Sequence, residues 1–155
     1  MKGNEQIINK LNDLLAEELT ASNQYMVHAE MCENWQYGRL YSKVRERAIQ
    51  EMKHAESLIE RILFLEGRPI VSKLSEIRIG DNVQSQLNND LQAEMHGWNL
   101  YNEGIKLAME AMDNGTKDLL ESILETEEKH IDWLEAQLEQ IQQIGIENYL
   151  AQQVS

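Results

Sequence analysis

The chain has 155 residues and a formal net charge of −13, from 14 Lys and Arg against 27 Asp and Glu. That length suits one domain, residues 1–155, with a sizeable core, and the acidity excludes a nucleic-acid surface, which must be basic. The single cysteine, Cys32, rules out an intrachain disulfide and a cysteine-rich zinc site and fits a reducing, cytoplasmic setting.

A lone proline and the lack of long β-branched runs predict an all-α fold. The opening Met1-Lys2-Gly3-Asn4-Glu5-Gln6 has no apolar region, so no secretory signal is expected. Runs such as Ile62-Leu63-Phe64-Leu65 are too short to span a membrane. The first predicted helix covers about 5–35, with Leu11, Leu14, Leu15, Ser22 and Tyr25 at helical spacing around Glu18. Gly38 breaks the pattern. The second covers about 39–66, with Val44, Ala48, Ala55, Leu58, Ile62 and Leu65 around Glu51, until Gly67 and Pro69 stop it.

Residues 67–81 form a connection longer than the two to eight residues usual between bundle neighbours. Fifteen extended residues reach ~50 Å, and a helix of ~30 residues is ~45 Å long. The connection can therefore run the length of a bundle and leave the second and third helices parallel. The third helix, about 82–112, sets Leu87, Leu91, Trp98, Tyr101 and Ile105 around Glu94. Gly97 and Gly104 share one of its faces, which predicts close packing of a neighbour. Asp113-Asn114-Gly115-Thr116 is a turn with a capping candidate. The fourth helix, about 116–144, places Leu120, Ile123, Leu124, Ile131, Leu134, Leu138 and Ile141 around Glu127. Gly145 then separates a short tail helix at about 146–153.

Two Glu-x-x-His pairs lie on these helices, Glu51-Met52-Lys53-His54 and Glu127-Glu128-Lys129-His130. Each has a further glutamate 33 residues upstream, Glu18 and Glu94. The offset between the halves is 76 throughout: 18 to 94, 51 to 127, 54 to 130. All four acids sit in apolar stripes, and each histidine shares its glutamate's face. Buried carboxylates cost several kcal/mol each unless paired or metal-bound, so four converging without Lys or Arg call for compensating cations. One glutamate from each of two helices plus Glu-x-x-His from each of the other two is the di-iron and di-manganese bundle pattern. Carboxylate-rich ligation with imidazole suits iron or manganese better than structural zinc. His28 and His96 lack such partners and read as surface or packing residues.

The segments Met1-Lys2-Gly3, Asn23-Gln24-Tyr25, Glu51-Met52-Lys53-His54-Ala55, Ile59 to Gly67, His130 to Glu135 and Glu147-Asn148-Tyr149-Leu150 carry a further signal. Through them the chain resembles the bacterioferritins over essentially its whole length. His130 marks the subfamily, because haem-free ferritins generally lack a histidine ligand there. The resemblance implies a ferritin-like four-helix bundle with a long crossover between the second and third helices and a short fifth helix. It implies a cytoplasmic hollow shell of 24 subunits, with or without a second subunit type. Such a shell oxidises Fe(II) with O2 or H2O2 and stores a ferric mineral. Two iron ions per subunit are implied: Glu18 and His54 terminal on one, Glu94 and His130 on the other, Glu51 and Glu127 bridging.

Tyr25, two turns from Glu18, then reads as an electron donor or as a core tyrosine with a satisfied hydroxyl, and Trp133 carries a weaker version of the same suggestion. Met52 is rotated ~100° from Glu51, away from the core. On residues alone it reads as interface packing. By the resemblance it is the axial ligand of a b-type haem shared across a two-fold between two subunits, carrying electrons inward for iron release, with a ferredoxin as the implied reductant. Family members often carry His and Asp where Glu46 and Gln50 stand here, forming an inner-wall iron site, so that site is in doubt. Arg47 and Arg68 also depart from the usual family residues. A rubrerythrin-like di-iron peroxidase without a shell is the alternative, opposed by the absence of any Cys-x-x-Cys segment.

Overall fold

The computed structural model describes residues 1–155. It is all-helical: α1 (Glu5–Asn34), α2 (Gly38–Phe64), α3 (Val83–Glu110), α4 (Asn114–Ile144) and α5 (Ile146–Ala151). No helix is long and apolar enough to cross a membrane.

Local chemistry sets the starts. Asn4 caps α1 by accepting from the amides of Gln6 and Ile7 at 2.8 and 3.3 Å. Asn82 and Ser85 form a reciprocal capping box on α3. Asp113 caps α4 through the Thr116 amide at 3.0 Å. The ends differ from expectation. The left-handed residues are Gln36, Glu66 and Met112, with φ of 66°, 61° and 58°, not Gly38 or Gly67. Each closes the same hydrogen-bond pattern: Tyr37 N to Cys32 O, Gly67 N to Ile62 O, and Asp113 N to Ala108 O, at 2.8–2.9 Å. These bonds satisfy carbonyls that would otherwise be orphaned, which offsets the left-handed cost of ~1–2 kcal/mol. Gly67 matters for space instead, because a Cβ there would lie 2.7 Å from Ile8 Cγ2.

Cross-helix contacts give the directions. Gly3 bonds Leu65 and Ser22 bonds Ala48, so α1 and α2 are antiparallel. Lys10 meets Glu103 and Gln24 meets Asp90, so α3 is antiparallel to α1 and parallel to α2. Arg61 meets Asp113 and His54 meets Thr126, so α4 runs against α2. The chain between α2 and α3 is the long crossover that this topology requires. Side chains on one face of α1 hold it by its backbone. Asn12 takes Arg68 O and Ile70 N, Thr20 takes Ser75 N, Gln24 takes Arg78 N, and His28 Nε2 takes Gly80 N, all at 2.8–3.0 Å.

Two apolar clusters fill the bundle ends. One is built on Leu11, Leu14, Leu15, Leu58, Ile62 and Leu120. The other is built on Cys32, Leu40, Leu87, Leu134, Ile141 and Tyr149. Tyr149 brings α5 onto the second cluster and donates to Gln137 Oε1 at 2.6 Å, beyond the bend at Gly145 (φ 83°). The predicted ligand positions fall between the clusters.

Gly104 packs as expected, since a Cβ would lie 2.9 Å from Leu120 Cδ1. Gly97 does not: nothing lies within 4 Å of a Cβ built there. Gly97 in α3 and Gly80 at the end of the crossover are opposite cases: a Cβ is free at the first and blocked at the second. Gly97→Ala removes backbone freedom without a clash and should raise stability by up to ~1 kcal/mol. Gly80→Ala would set its Cβ 2.4 Å from the backbone nitrogen of Gln86 and should cost ~1–3 kcal/mol. Urea titration of the two variants should give midpoints displaced in opposite directions.

Candidate metal centre

Helical register delivers the six residues singled out by spacing to one volume. Glu18, Glu51, Glu94 and Glu127 are only 1–3% exposed, and His54 and His130 are 8% and 7% exposed. Glu18, Glu51, His54 and Glu127 each offer a donor atom within 4.8 Å of the others, as do Glu51, Glu94 and His130. Glu51 belongs to both groups.

The donor geometry is specific. His54 Nδ1 lies 3.5 Å from Glu18 Oε2, 3.6 Å from Glu51 Oε2 and 3.5 Å from Glu127 Oε1. Its other nitrogen, Nε2, is 3.0 Å from Thr126 Oγ1, whose hydroxyl donates to Ile123 O. Thr126 can then only accept from Nε2–H, so in a neutral ring Nδ1 is the free donor atom facing the carboxylates. On the other side His130 Nδ1 is 2.9 Å from Glu94 Oε1. The His130 ring is flanked edge-on by Tyr25 and stacked by Trp133, with centroids 5.5 and 6.0 Å away.

Two tyrosines cross between the halves. Tyr25 on α1 donates to Glu94 on α3. Tyr101 on α3 donates to Glu18 on α1 at 2.5 Å. Sequence reasoning picked out Tyr25 and left Tyr101 among the apolar stripe residues. The missed signal was the same repeat: Tyr101 stands 76 residues after Tyr25.

Arg47 is the second residue that the spacing argument missed. It is only 7% exposed, and its guanidinium enters the carboxylate cluster. Nη2 lies 2.9 Å from Glu51 Oε1 and 3.6 Å from Glu94 Oε2 and Glu127 Oε2. Nη1 donates to Gln50 Oε1 at 2.7 Å. The expectation of four carboxylates converging without a basic side chain is thus corrected: one arginine is among them. It stands four residues before Glu51, on the same face of α2, where only the polar head needs company.

The cluster's electrostatics follow from burial. Burial, with Glu51 next, holds the Glu18 carboxyl well above the usual range, and burial with Glu51 and Glu94 does the same to Glu127. Burial also acts to raise Glu94, but hydrogen bonding from Glu127, His130 and the Arg47 charge overcome it and hold Glu94 low. Burial would lower His54, yet the Glu127 and Glu51 carboxylates that face its ring push it up to about 9. Burial and Glu94 raise the Tyr25 phenol, and burial and Glu18 raise Tyr101, so both remain hydrogen-bond donors.

Five buried polar atoms here have no hydrogen-bond partner besides those of Arg47: Glu18 Oε2, Glu51 Oε1, His54 Nδ1, Glu94 Oε2 and Glu127 Oε1. All come from the predicted ligand set and face one another. Such atoms are costly unless something compensates them, and divalent cations match this donor set. A cavity of about 470 Å³ reaches the cluster past Gly97, lined by Glu17, His96 and Gln92 and by Glu18, Glu94 and Glu127. Gly97, expected to pack a neighbour, instead borders this cavity. His96 is a surface residue, its Nδ1 3.0 Å from Glu17 Oε2. His28 is a fully buried packing residue that bonds Asp90 at 2.8 Å and holds the crossover. Glu46 is exposed and Gln50 is engaged by Arg47. Met52 points outward, 41% exposed, as does Ile49 one turn before it.

Residues 8–144 match the ferritin-like domain family. Over its full length the chain is 41% identical to the bacterioferritin of Mycolicibacterium paratuberculosis and covers 98% of that protein. It is 43% identical to the bacterioferritin of Brucella melitensis over 149 residues, 96% of this chain and 92% of the relative. The bacterioferritin of Rhodobacter capsulatus is 40% identical over the same shares of both chains. On fold, buried donor set and full-length similarity together, the chain belongs to the bacterioferritins of the ferritin-like family.

Proposed function

We propose that this chain is an iron-storage ferroxidase, which oxidises Fe(II) at the buried centre and deposits ferric mineral inside a shell of its own copies. The observation that carries this reading is the set of unpartnered donor atoms from all four glutamates and His54, buried at mid-bundle. Fe(II) is the substrate. Glu18 and His54 hold one ion, Glu94 and His130 the other, and Glu51 and Glu127 bridge them. Both bridging residues direct one oxygen toward His54 and the other toward the Glu94 side, where Arg47 Nη2 now lies. A carboxylate spanning two positions needs that disposition. Two adjacent Fe(II) ions give one electron each, so O2 and two protons become H2O2, or H2O2 and two protons become two waters, with no one-electron product released.

The surrounding residues support this chemistry. The cavity beside Gly97, with Glu17 at its wall, gives cations a polar path to the donors. Tyr25 donates its hydroxyl proton to Glu94, so it can supply a further electron while its proton stays within that hydrogen bond. Met52 would hold a haem: its side chain is outward beside exposed Ile49, where a two-fold would bring a second copy opposite. A b-type haem held there would supply electron transfer for iron release, with a ferredoxin-type protein as its reductant. Exposed Met26, Val27, Leu63 and Phe64 provide apolar surface for subunit contacts in a shell of 24 copies.

Glu18→Ala combined with Glu127→Ala should slow aerobic Fe(II) oxidation by about 10-fold or more, read as the rise of ferric absorbance; an unchanged rate would remove the centre from the mechanism. The protonated forms of Glu18, Glu127 and His54 must give way to metal. Affinity for a redox-inert ion such as Zn(II) should therefore climb from pH 6.5 and level off once His54 is deprotonated at about 9. Calorimetry in buffers of different ionisation enthalpy should show protons released, and a flat affinity over that window would contradict the assignment. For the haem, Met52→Leu should abolish the Soret band of the purified assembly while leaving its size unchanged; a retained band would overturn the Met52 assignment.

A further inference from the structure

The two metal positions are related by the 76-residue repeat, but Arg47 has no counterpart: the equivalent position is Ile123. Its Nη2 touches Glu51 Oε1, Glu94 Oε2 and Glu127 Oε2 at 2.9, 3.6 and 3.6 Å. Those are the oxygens that an ion at the Glu94–His130 position would need. Around the Glu18–His54 position the matching oxygens, Glu18 Oε2, Glu51 Oε2 and Glu127 Oε1, have His54 Nδ1 as their basic neighbour and no guanidinium. Arg47 Nε and Nη2 are themselves buried without a well-directed hydrogen bond. The guanidinium is therefore held by charge and by a single hydrogen bond, to Gln50.

We propose that Arg47 is a built-in counter-cation of the Glu94–His130 position, which orders the loading of the centre. This rests on the di-metal reading above. The first ion takes the Glu18–His54 position, where no guanidinium competes. The second ion cannot share its oxygens with a fixed positive charge, because the like charges would be in contact in a poorly solvated site. Arg47 must first swing away from them. Gln50 Oε1 keeps hold of Nη1 as the pivot. Arg47 is thus a specificity-determining and positioning residue: it stabilises the carboxylate cluster before metal arrives and sets the gap between the two binding steps.

The test is an anaerobic titration of the intact assembly with Mn(II), followed by electron paramagnetic resonance, which separates an isolated ion from a coupled pair. In the unaltered protein one equivalent should give the isolated signal, and the pair should form only at about 10-fold or more higher free Mn(II). Arg47→Gln should merge the two steps, so that coupled pairs appear below one equivalent, while Arg47→Lys keeps them apart. Arg47→Gln should also lower the melting temperature in chelator and show no such deficit when saturated with Mn(II). Simultaneous filling in the unaltered protein would overturn the proposal without any variant, as would an unchanged gap in Arg47→Gln. Absence of any Mn(II) binding would instead sink the di-metal reading, and this proposal with it.

Discussion

Everything in this molecule is arranged around negative charge kept away from water. Four carboxylates converge at mid-bundle with 1–3% exposure, and each would cost several kcal/mol there if left uncompensated. The fold can hold them because apolar clusters on both sides provide the burial that a polar centre does not. The remaining compensation comes from two phenol hydroxyls, two imidazoles and one guanidinium. That set neutralises the cluster only in part and leaves carboxylate oxygens without a partner.

The centre is built twice from one plan. The hairpin α1–α2 and the hairpin α3–α4 each contribute one upstream glutamate, one Glu-x-x-His and one tyrosine, and each tyrosine serves the other hairpin's glutamate. The two hairpins interleave at the cluster, since Glu127 joins the group of Glu18, Glu51 and His54, and Glu51 joins Glu94 and His130. The departures from the repeat, Arg47 and the outward Met52, are the features through which two equivalent half-sites can come to behave differently.

Much of this was legible before any coordinates. The buried cluster could be read because helical periodicity fixes a side chain's direction, and six Glu and His residues repeating in register are improbable as surface residues. The crossover could be read from loop length alone. Three things could not. Arg47 sits among exposed Arg45 and Glu46, so its charge argued for solvent, although its spacing of four from Glu51 put it on the buried face. The helix ends could not be placed on Gln36, Glu66 and Met112, because nothing in those residue types favours a left-handed backbone; only the carbonyls they satisfy do. Gly97 read as a packing glycine because periodicity reports which face a residue occupies and says nothing of whether a neighbour fills that face.

The crossover has one more implication. Its contacts with α1 run from Asn12, Thr20, Gln24 and His28 to backbone nitrogens and one backbone oxygen of the segment. It is gripped much as a sheet edge grips an added strand, through groups that every residue but proline possesses. Ile70, Val71, Leu74, Ile77 and Ile79 are consequently left partly outward. Polar rungs to the backbone, more than apolar packing, therefore tie the strap to α1, and its outward side chains form part of the subunit's apolar surface.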